Sequence, residues 1–263
     1  MNLALHQEHA DELYRALRDG HTLAPLTERW EQIGIEDAYH ISRLILQRRL
    51  DAGDELVGKK IGVTSAAVQR MLDVHQPDFG FITRQMWFAD GADISLSDNR
   101  LIQPRAEGEI AFRLKHDLIG PGVTEADVLE ATECVMACFE IVDSRIHDWR
   151  IRIQDTVADN ASCGVFVLGE IERDPRELDL PNLRMQVFKN GAQISEGFGS
   201  AVQGNPLTAV AWLANTLGAF GIPFKAGEII LSGSLVPLEP VKAGDRFELT
   251  IDGLGTAQVS FRE

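Results

Sequence analysis

The amino-acid sequence predicts an α+β protein, with a small helical N-terminal part in residues 1–75 and a mixed-sheet domain in residues 76–263. The first part of the chain repeats its apolar residues every three to four positions, as one face of a helix does. After about residue 76, short alternating runs typical of strands dominate. The N-terminal part also includes one predicted strand, which contains Lys60. We therefore expect the helices to lie against one large sheet domain.

The individual elements follow from the same periodicities. Helical spacing covers residues 8–18 and 35–51, where Ala38, Ile41 and Ile45 share one face. The strand-like runs comprise residues 101–114, 138–143, 165–168, 185–189, 229–232, 247–251 and 257–261. A type I′ hairpin turn is predicted at Lys189-Asn190-Gly191-Ala192, because Asn and Gly tolerate positive φ angles.

Two helices are predicted to interrupt these strands. Thr124 and Asp127 form a capping pair that opens a helix toward Met136. Asn205 and Pro206 supply the N-cap and the first residue of the second helix, whose apolar stripe is typical of core packing.

Composition and charge limit the class of partner. The chain has 44% hydrophobic and 25% charged residues, a formal net charge of −15 and a pI near 4.9. Clustered Lys and Arg residues drive phosphate binding, so this balance argues against nucleic acid or an anionic membrane as a partner. The N-terminus lacks the pattern of a signal peptide, and no run reaches the roughly 20 apolar residues of a membrane span. We therefore expect a cytoplasmic protein.

The cysteines and histidines do not suggest a zinc site. Cys134, Cys138 and Cys163 are odd in number, and the first two have helical rather than zinc-loop spacing. We interpret all three as small buried hydrophobic residues. The seven histidines show no metal-ligand pattern.

Three carboxylates are the most informative residues. Glu107 and Glu109 stand two positions apart, and Glu140 follows in a second strand-like run. In a strand, Glu107 and Glu109 point to the same face, where their charges repel. A shared proton, a basic neighbour such as Arg105, or a hard divalent cation can neutralise them. A solvated strand face is the alternative.

A lysine in residues 57–64 is the second informative feature. In a strand, Lys60 shares a nearly bare face with Gly58 and Gly62, which leaves room for a ligand. The alternative is that the glycines allow another backbone to approach and that Lys60 extends to water. Lys59 faces the opposite, apolar side, where its replacement is expected to have only a small packing or solubility effect.

No other cofactor signature is present. The glycine turns at residues 197–200 and 232–234 lack the strand and helix context of a nucleotide-binding loop, and no nucleophile elbow appears. Asp78 lies in residues 76–80 (QPDFG), where a plain turn is the alternative to a functional role.

These segments together resemble the hydratase and decarboxylase branch of the fumarylacetoacetate hydrolase superfamily. The resemblance covers essentially the whole chain. It rests on residues 57–65 (VGKKIGVTS), 76–80 (QPDFG), 103–110 (QPRAEGEI), 139–145 (FEIVDSR) and 155–164 (DTVADNASCG). The resemblance implies a mixed β-roll or barrel core, with the N-terminal helices closing over the site.

The resemblance also implies roles for the singled-out residues. Glu107, Glu109 and Glu140 would bind Mg²⁺ or Mn²⁺, Lys60 would be the acid/base, and Asp78 would assist water or proton handling. A lysine in a confined pocket near a cation is expected to have a lowered pKa.

Further implications concern the substrate and the assembly. We expect Arg105, Ser162 and Ser234 to contact a small anionic 2-oxo or 2-hydroxy dienoate. The family implies a homo-oligomer and, for some members, association with a companion decarboxylase.

The reaction implied is the metal-dependent hydration of 2-hydroxypenta-2,4-dienoate in aromatic meta-cleavage catabolism, catalysed by a lyase. Pro77-Asp78-Phe79-Gly80 favours hydration, because the decarboxylases of the branch lack this aspartate. The alternatives are vinylogous decarboxylation of 2-oxohex-3-enedioate and hydration of a longer dienoate. Carbon–carbon hydrolysis usually needs a His/Glu pair on a lid, which is not evident here. A noncatalytic metal-binding partner would not need the full set of residues.

Overall fold

A computed structural model of the protein describes residues 3–71 and 73–263, so Met1, Asn2 and Leu72 of the predicted N-terminal part lie outside the described residues. The α-helices are α1 (Leu3–Asp19), α2 (Leu26–Arg29), α3 (Ile35–Asp51), α4 (Ala66–Met71), α5 (Glu125–Ala131), α6 (Ile153–Ala158) and α7 (Pro206–Gly218). The described helices include none long and apolar enough to cross a membrane.

The strands form two sheets within the described chain. They are β1 (Leu56–Gly62), β2 (Asp78–Thr83), β3 (Trp87–Ala89), β4 (Ala92–Ser95), β5 (Arg105–Leu114), β6 (Thr132–Val142), β7 (Cys163–Leu168), β8 (Arg184–Lys189), β9 (Ala192–Phe198), β10 (Ile229–Ser234), β11 (Glu239–Pro240), β12 (Arg246–Ile251) and β13 (Gly255–Arg262). The larger sheet has the order β2-β1-β10-β5-β6-β7-β3, and β11 pairs with β5. The smaller sheet has the order β4-β13-β12-β8-β9.

These sheets confirm the mixed α and β character of the fold and its helical N-terminal part. The pairing order shows two sheets, and closure into a barrel remains an expectation from the resemblance. The strand that contains Lys60 belongs to the large sheet, where β1 pairs with β2 in antiparallel and with β10 in parallel. The division at residues 75/76 therefore separates neighbouring strands of one sheet, and it stays a prediction.

The large sheet is buried on both faces. One face, with Ile110 and Phe139, packs against α7 and the smaller sheet, which contributes Phe247. The opposite face carries a second apolar cluster that includes Ala111 and Met136. Since side chains alternate along a strand, Glu107, Glu109 and Glu140 fall on the face of this second cluster. The candidate site thus continues a buried apolar surface.

Some local predictions were confirmed and others were wrong. The hairpin turn is confirmed, because Asn190 and Gly191 both have positive φ, at 54° and 82°. The helix that Thr124 caps was expected to continue toward Met136, but it ends at Ala131, and the following residues form β6. Pairing of β6 with β5 along nearly its whole length outweighs the local helical signal.

The cysteines are buried and free, as predicted. However, Cys134 and Cys138 lie on β6, so the helical interpretation of their spacing was wrong. On a strand, a separation of four places both side chains on the same face, and both belong to the second apolar cluster.

Lys59 is fully buried and ion-paired, which argues against the small effect expected for its replacement. Its ammonium group donates to a carboxylate oxygen of Glu228 and, at 3.3 Å, to the carbonyl oxygen of Pro223. It also lies 5.2 Å from the centre of the Phe224 ring. Burial lowers the pKa of Lys59, while the charge of Glu228 opposes that shift. The partner lies far away in the sequence, so strand alternation alone could not reveal it.

We predict that Lys59→Ala lowers the free energy of unfolding by about 3–5 kcal/mol, because it leaves Glu228 buried without its cation. Urea unfolding measures this loss. The matched control is Lys225→Ala, since Lys225 forms an exposed ion pair with Asp117 and should change stability by about 1 kcal/mol or less. Equal effects of the two substitutions would contradict the structural importance of the buried pair.

Candidate metal and acid–base site

Two neighbouring strands bring the three glutamates together. Glu107 on β5 lies directly opposite Glu140 on β6, and Glu109 lies opposite Cys138. Each glutamate offers a carboxylate oxygen, and these three oxygens lie within 4.8 Å of one another. The predicted alternation on β5 thus combines with the β5–β6 register to create one carboxylate cluster.

Burying these carboxylates in their charged form costs free energy. Glu109 and Glu140 are 0% exposed. Burial, followed by the charge of Glu140, raises the pKa of Glu107 to about 8 and that of Glu109 well above its usual value. The backbone N–H of Gly233 donates to one oxygen of Glu109 at 2.9 Å. Within the described chain, the other oxygen of Glu109 and both oxygens of Glu140 receive no hydrogen bond.

These oxygens fit a hard divalent cation. The cluster presents several carboxylate oxygens, has no soft ligand atom, and leaves three buried oxygens without a hydrogen-bond donor. Oxygen-rich sets of this kind suit Mg²⁺ and Mn²⁺ rather than thiolate-binding metals. A cation bound there would also remove the mutual repulsion that raises the pKa values.

Lys60 lies beside the cluster. Its Nζ is 3.2 Å from Oε1 of Glu140, an ion pair by distance although its direction does not meet hydrogen-bond geometry. Burial would lower the pKa of Lys60, but the charges of Glu140 and Asp78 outweigh burial and raise it. The expected lowered pKa is therefore not found in the metal-free chain, because the carboxylates around Lys60 dominate.

Asp78 is the second titratable group beside Lys60. It begins β2 and pairs with Gly62 of β1, two residues after Lys60. A Cβ atom on Gly62 would lie 2.3 Å from Oδ1 of Asp78 and 3.3 Å from Nζ of Lys60, so glycine allows the two groups to face each other. Burial raises the pKa of Asp78 to about 6. A cation and a carboxylate that titrates near neutrality can exchange protons with a bound molecule.

The three predicted substrate-binding residues lie on different segments, and their role stays a prediction. Arg105 starts β5, two positions before Glu107 on the same face, with its guanidinium carbon 4.8 Å from the centre of the Trp149 ring. Ser162 is buried, with its hydroxyl 3.0 Å from that of Thr156. Among the described contacts, no hydrogen bond or ion pair joins Arg105 or Ser162 to the glutamates.

Ser234 has a different relation to the cluster. It pairs with Glu109 in the β10–β5 ladder. Its hydroxyl donates to the carbonyl oxygen of Val236 at 2.6 Å, and the backbone N–H that contacts Glu109 belongs to Gly233. The contact of Gly233 with Glu109 was not predicted from the sequence, and substrate binding by Ser234 stays a prediction.

Tyr39 on α3 was not singled out from the sequence. Its ring stacks on Phe79, with the two ring centres 4.2 Å apart. Burial, followed by the charge of Asp78, raises the pKa of the Tyr39 phenol. The helical stripe of the N-terminal part gave only a core interpretation, so a tertiary contact was needed to find this residue.

Asn160 was missed for a similar reason. Its side chain accepts from the N–H of Phe81 at 2.8 Å and donates to the carbonyl oxygen of Phe81 at 2.9 Å, which ties it to β2 at the end of the strand order. Residues 160–162 all have positive φ, near 50°. Gly80, which pairs with Lys60, provides the space for the Asn160 carbonyl. Positive φ values are uncommon for residues other than glycine, so the sequence of residues 160–162 did not predict this backbone conformation.

Comparison with known proteins gives a consistent family assignment. A family model described as fumarylacetoacetate (FAA) hydrolase C-terminal matches residues 59–262. The chain is 64% identical over 251 residues to a 2-hydroxyhexa-2,4-dienoate hydratase of Comamonas testosteroni, with 95% of each chain covered. It is 61% identical over 222 residues to a 2-hydroxypent-2,4-dienoate hydratase of Pseudomonas putida, covering 84% of this chain and 100% of the relative.

A solved structure extends the likeness to the whole fold. The 4-oxalocrotonate decarboxylase from Pseudomonas putida G7, complexed with magnesium and adipate, superposes with a TM-score of 0.96 at 32% sequence identity. The match covers 99% of this chain and 98% of the decarboxylase.

We predict that Mg²⁺ raises the thermal unfolding midpoint more at about pH 8 than at about pH 6. The pKa of Glu107 rises from 4.5 to about 8 on folding. Between these values the metal-free folded state retains a proton that the unfolded state has lost, so its stability falls as pH increases. A cation replaces that proton and should stabilise the fold by about 3 kcal/mol at 100 times its Kd.

Differential scanning calorimetry over a Mg²⁺ series measures this response. Glu107→Gln should reduce it, whereas Glu8→Gln, on the exposed side of α1, should leave it unchanged. A midpoint that does not respond to Mg²⁺ at either pH would mean that the carboxylates do not form a cation site.

Proposed function

The chain belongs to the fumarylacetoacetate hydrolase family, and on that basis we propose that it hydrates 2-hydroxypenta-2,4-dienoate to 4-hydroxy-2-oxopentanoate with the aid of a divalent cation. It is a hydratase and hence a lyase, and its reaction belongs to aromatic meta-cleavage catabolism. The high identity to two dienoate hydratases over most of the chain supports this substrate class.

The observation that supports the proposal most directly is the convergence of Lys60 and Asp78 beside the three-carboxylate cluster. Glu107, Glu109 and Glu140 would hold Mg²⁺ or Mn²⁺. The bound cation would act as a Lewis acid toward the carboxylate and 2-oxygen of the substrate. This set gives the site both a means of binding an anionic keto acid and groups that move protons.

Hydration of the dienol requires proton transfer in two stages. In the first, the 2-hydroxyl group loses its proton and carbon 5 gains one, which gives the 2-oxo-3-enoate. In the second, the oxygen of water bonds to carbon 4, the water loses a proton, and carbon 3 gains one. Each stage releases one proton and consumes one, so an acid/base pair can return to its starting state after each turnover.

Lys60 and Asp78 are the groups we assign to these transfers. Lys60 lies beside the cluster and is protonated, because the charges of Glu140 and Asp78 raise its pKa. We assign to it the proton that a substrate carbon takes, and a bound cation would offset those charges and so ease the transfer. Asp78, with a pKa of about 6, is largely a carboxylate at neutral pH and can orient the incoming water and accept its proton. Their shared burial limits competition from bulk water.

The remaining assignments concern substrate placement and assembly. We propose that Arg105, Ser162 and Ser234 contact the substrate, because they lie on segments that adjoin the cluster. Arg105 would offset the substrate charge in a chain whose formal net charge is −15. We further propose a homo-oligomer, and association with a companion decarboxylase.

Two neighbouring activities are the alternatives. Likeness to the 4-oxalocrotonate decarboxylase favours vinylogous decarboxylation of 2-oxohex-3-enedioate as the second candidate. The hexadienoate hydratase relative favours a longer dienoate as an alternative substrate of the same hydration. Asp78 in Pro77-Asp78-Phe79-Gly80, together with the hydratase relatives, supports hydration over decarboxylation.

We predict that the metal-loaded enzyme consumes freshly made 2-hydroxypenta-2,4-dienoate and forms 4-hydroxy-2-oxopentanoate. Loss of dienol absorbance and chromatographic detection of the product measure the reaction. With 2-oxohex-3-enedioate, the enzyme should release no carbon dioxide. Chelation should abolish hydration, and added Mg²⁺ or Mn²⁺ should restore it. Carbon dioxide release without hydration would favour the second candidate, and full activity after metal removal would exclude the proposed mechanism.

We predict that Lys60→Ala lowers turnover by roughly 10²- to 10⁴-fold, the range expected for a general acid/base. Binding of Mn²⁺, measured by electron paramagnetic resonance, should be largely retained, because Lys60 supplies no metal ligand. Lys115→Ala, just after β5, is the control and should keep both properties. Retained turnover in Lys60→Ala would remove Lys60 from the proposed chemistry.

A further inference from the structure

A polar cavity lies between the N-terminal helices and the large sheet. Its volume is about 180 Å³, and its lining includes Tyr14 of α1, Arg49 of α3 and Val165 of β7. The catalytic candidates Lys60 and Asp78 do not line it, nor do the three glutamates. The cavity is therefore separate from the site described above.

Arg49 is a largely buried cation of this cavity that keeps free N–H donors beside its one ion pair. Its side chain is 14% exposed, and one guanidinium N–H lies 3.4 Å from Oδ2 of Asp54. Among the described residues, its guanidinium makes no other hydrogen bond or ion pair. A guanidinium carries five N–H donors, so most of its donor capacity remains available. Asp54 also accepts from the backbone N–H groups of Glu55 and Gln85, which further satisfies this carboxylate.

Arg145 adds positive charge behind Arg49, although its own donors are committed. It bonds to Asp159 through its side chain and to the carbonyl oxygens of Asp143 and Cys163. Burial lowers the pKa of Arg49, and the charge of Arg145 lowers it further. The charge of Asp54 opposes this repulsion between the two guanidinium groups, and an anion between Arg49 and the cavity mouth would oppose it further.

The mouth of the cavity provides further cations. Arg18 and Arg100 line it and are exposed, and their side chains form no ion pair within the described part of the chain. The acidic lining residues have other partners. Asp143 accepts from the backbone N–H of Gln103 at 2.8 Å, and Asp98 lies 3.4 Å from the guanidinium of Arg262. The donors that remain available on the lining therefore include the guanidinium groups of Arg18, Arg49 and Arg100.

We propose that this cavity is a binding site for a small dianionic oxyanion, held by Arg49 at its wall and by Arg18 and Arg100 at its mouth. Planar guanidinium groups bind tetrahedral oxyanions through paired N–H···O contacts. The cavity is large enough for an ion of this size, since one water molecule takes about 30 Å³ in the liquid. Because the lining joins α1 and α3 to the sheet, a bound oxyanion would tie the helical part to the sheet.

Sulfate is the probe, applied to the full-length enzyme with Mg²⁺ present. We expect a saturable rise in the thermal midpoint above that given by sodium chloride at equal ionic strength, and one sulfate per chain by isothermal titration calorimetry. Arg49→Gln should weaken binding by at least about tenfold, because it removes the charge-assisted contacts of the guanidinium group. Arg43→Gln, on the same helix but outside the cavity, is the matched control.

Two further variants test whether sulfate binds in this cavity and not at the metal site. Arg100→Gln alters only the exposed mouth, so it should weaken sulfate binding without preventing folding. Glu107→Gln should leave sulfate binding intact, because that residue belongs to the other site. No saturable response to sulfate, equal binding by Arg49→Gln and Arg43→Gln, or loss of binding in Glu107→Gln would each overturn the proposal.

Discussion

Repulsion among three clustered carboxylates, two of them fully buried, is the constraint on which the site depends. Direct pairing of Glu107 with Glu140, and the position of Glu109 on the same face, leave little distance over which the charges can separate. Buried charges are tolerated only when they are paired, hydrogen-bonded, protonated or bound to a cation. Lys60 and the N–H of Gly233 compensate part of the charge. The negative charge that remains uncompensated explains why the fold suits a divalent cation at this position.

Strand β1 distributes positive charge to both faces of the large sheet. Lys59 compensates Glu228 on one face, while Lys60 stands beside Glu140 on the other. Adjacent lysines therefore have different surroundings: the first is ion-paired where the sheet packs against the loop that contains Glu228, and the second lies beside the carboxylate cluster. A slip of one residue in the register of β1 would exchange the two environments, so the strand register matters for chemistry as well as for stability.

The sequence predicted the parts of the site that depend on local alternation. It placed Glu107 and Glu109 on one face and Lys60 on the glycine-flanked face, and both placements agree with the structure. It could not predict the contacts that depend on tertiary approach. Tyr39 comes from an N-terminal helix, and Asn160 comes from a turn with positive φ values. Tertiary pairing also decided part of the fold that the sequence did not predict. The residues after Ala131 form β6 because they pair with β5, although the local sequence favoured a continued helix.

The parallel pairing of β1 with β10 has a consequence for folding order. Residues 58–60 pair with residues 229–231, so the strand that presents Lys60, together with its neighbour β2, joins β5 and the rest of the large sheet only when β10, from the last part of the chain, is available. Contacts between such distant segments form late in folding, because closing the long intervening loop costs chain entropy that the contacts offset only after they have formed. The β5–β6 hairpin can assemble Glu107, Glu109 and Glu140 from nearby residues. During synthesis on the ribosome, the acidic half of the site can therefore form before the strand that supplies its lysine is locked in place.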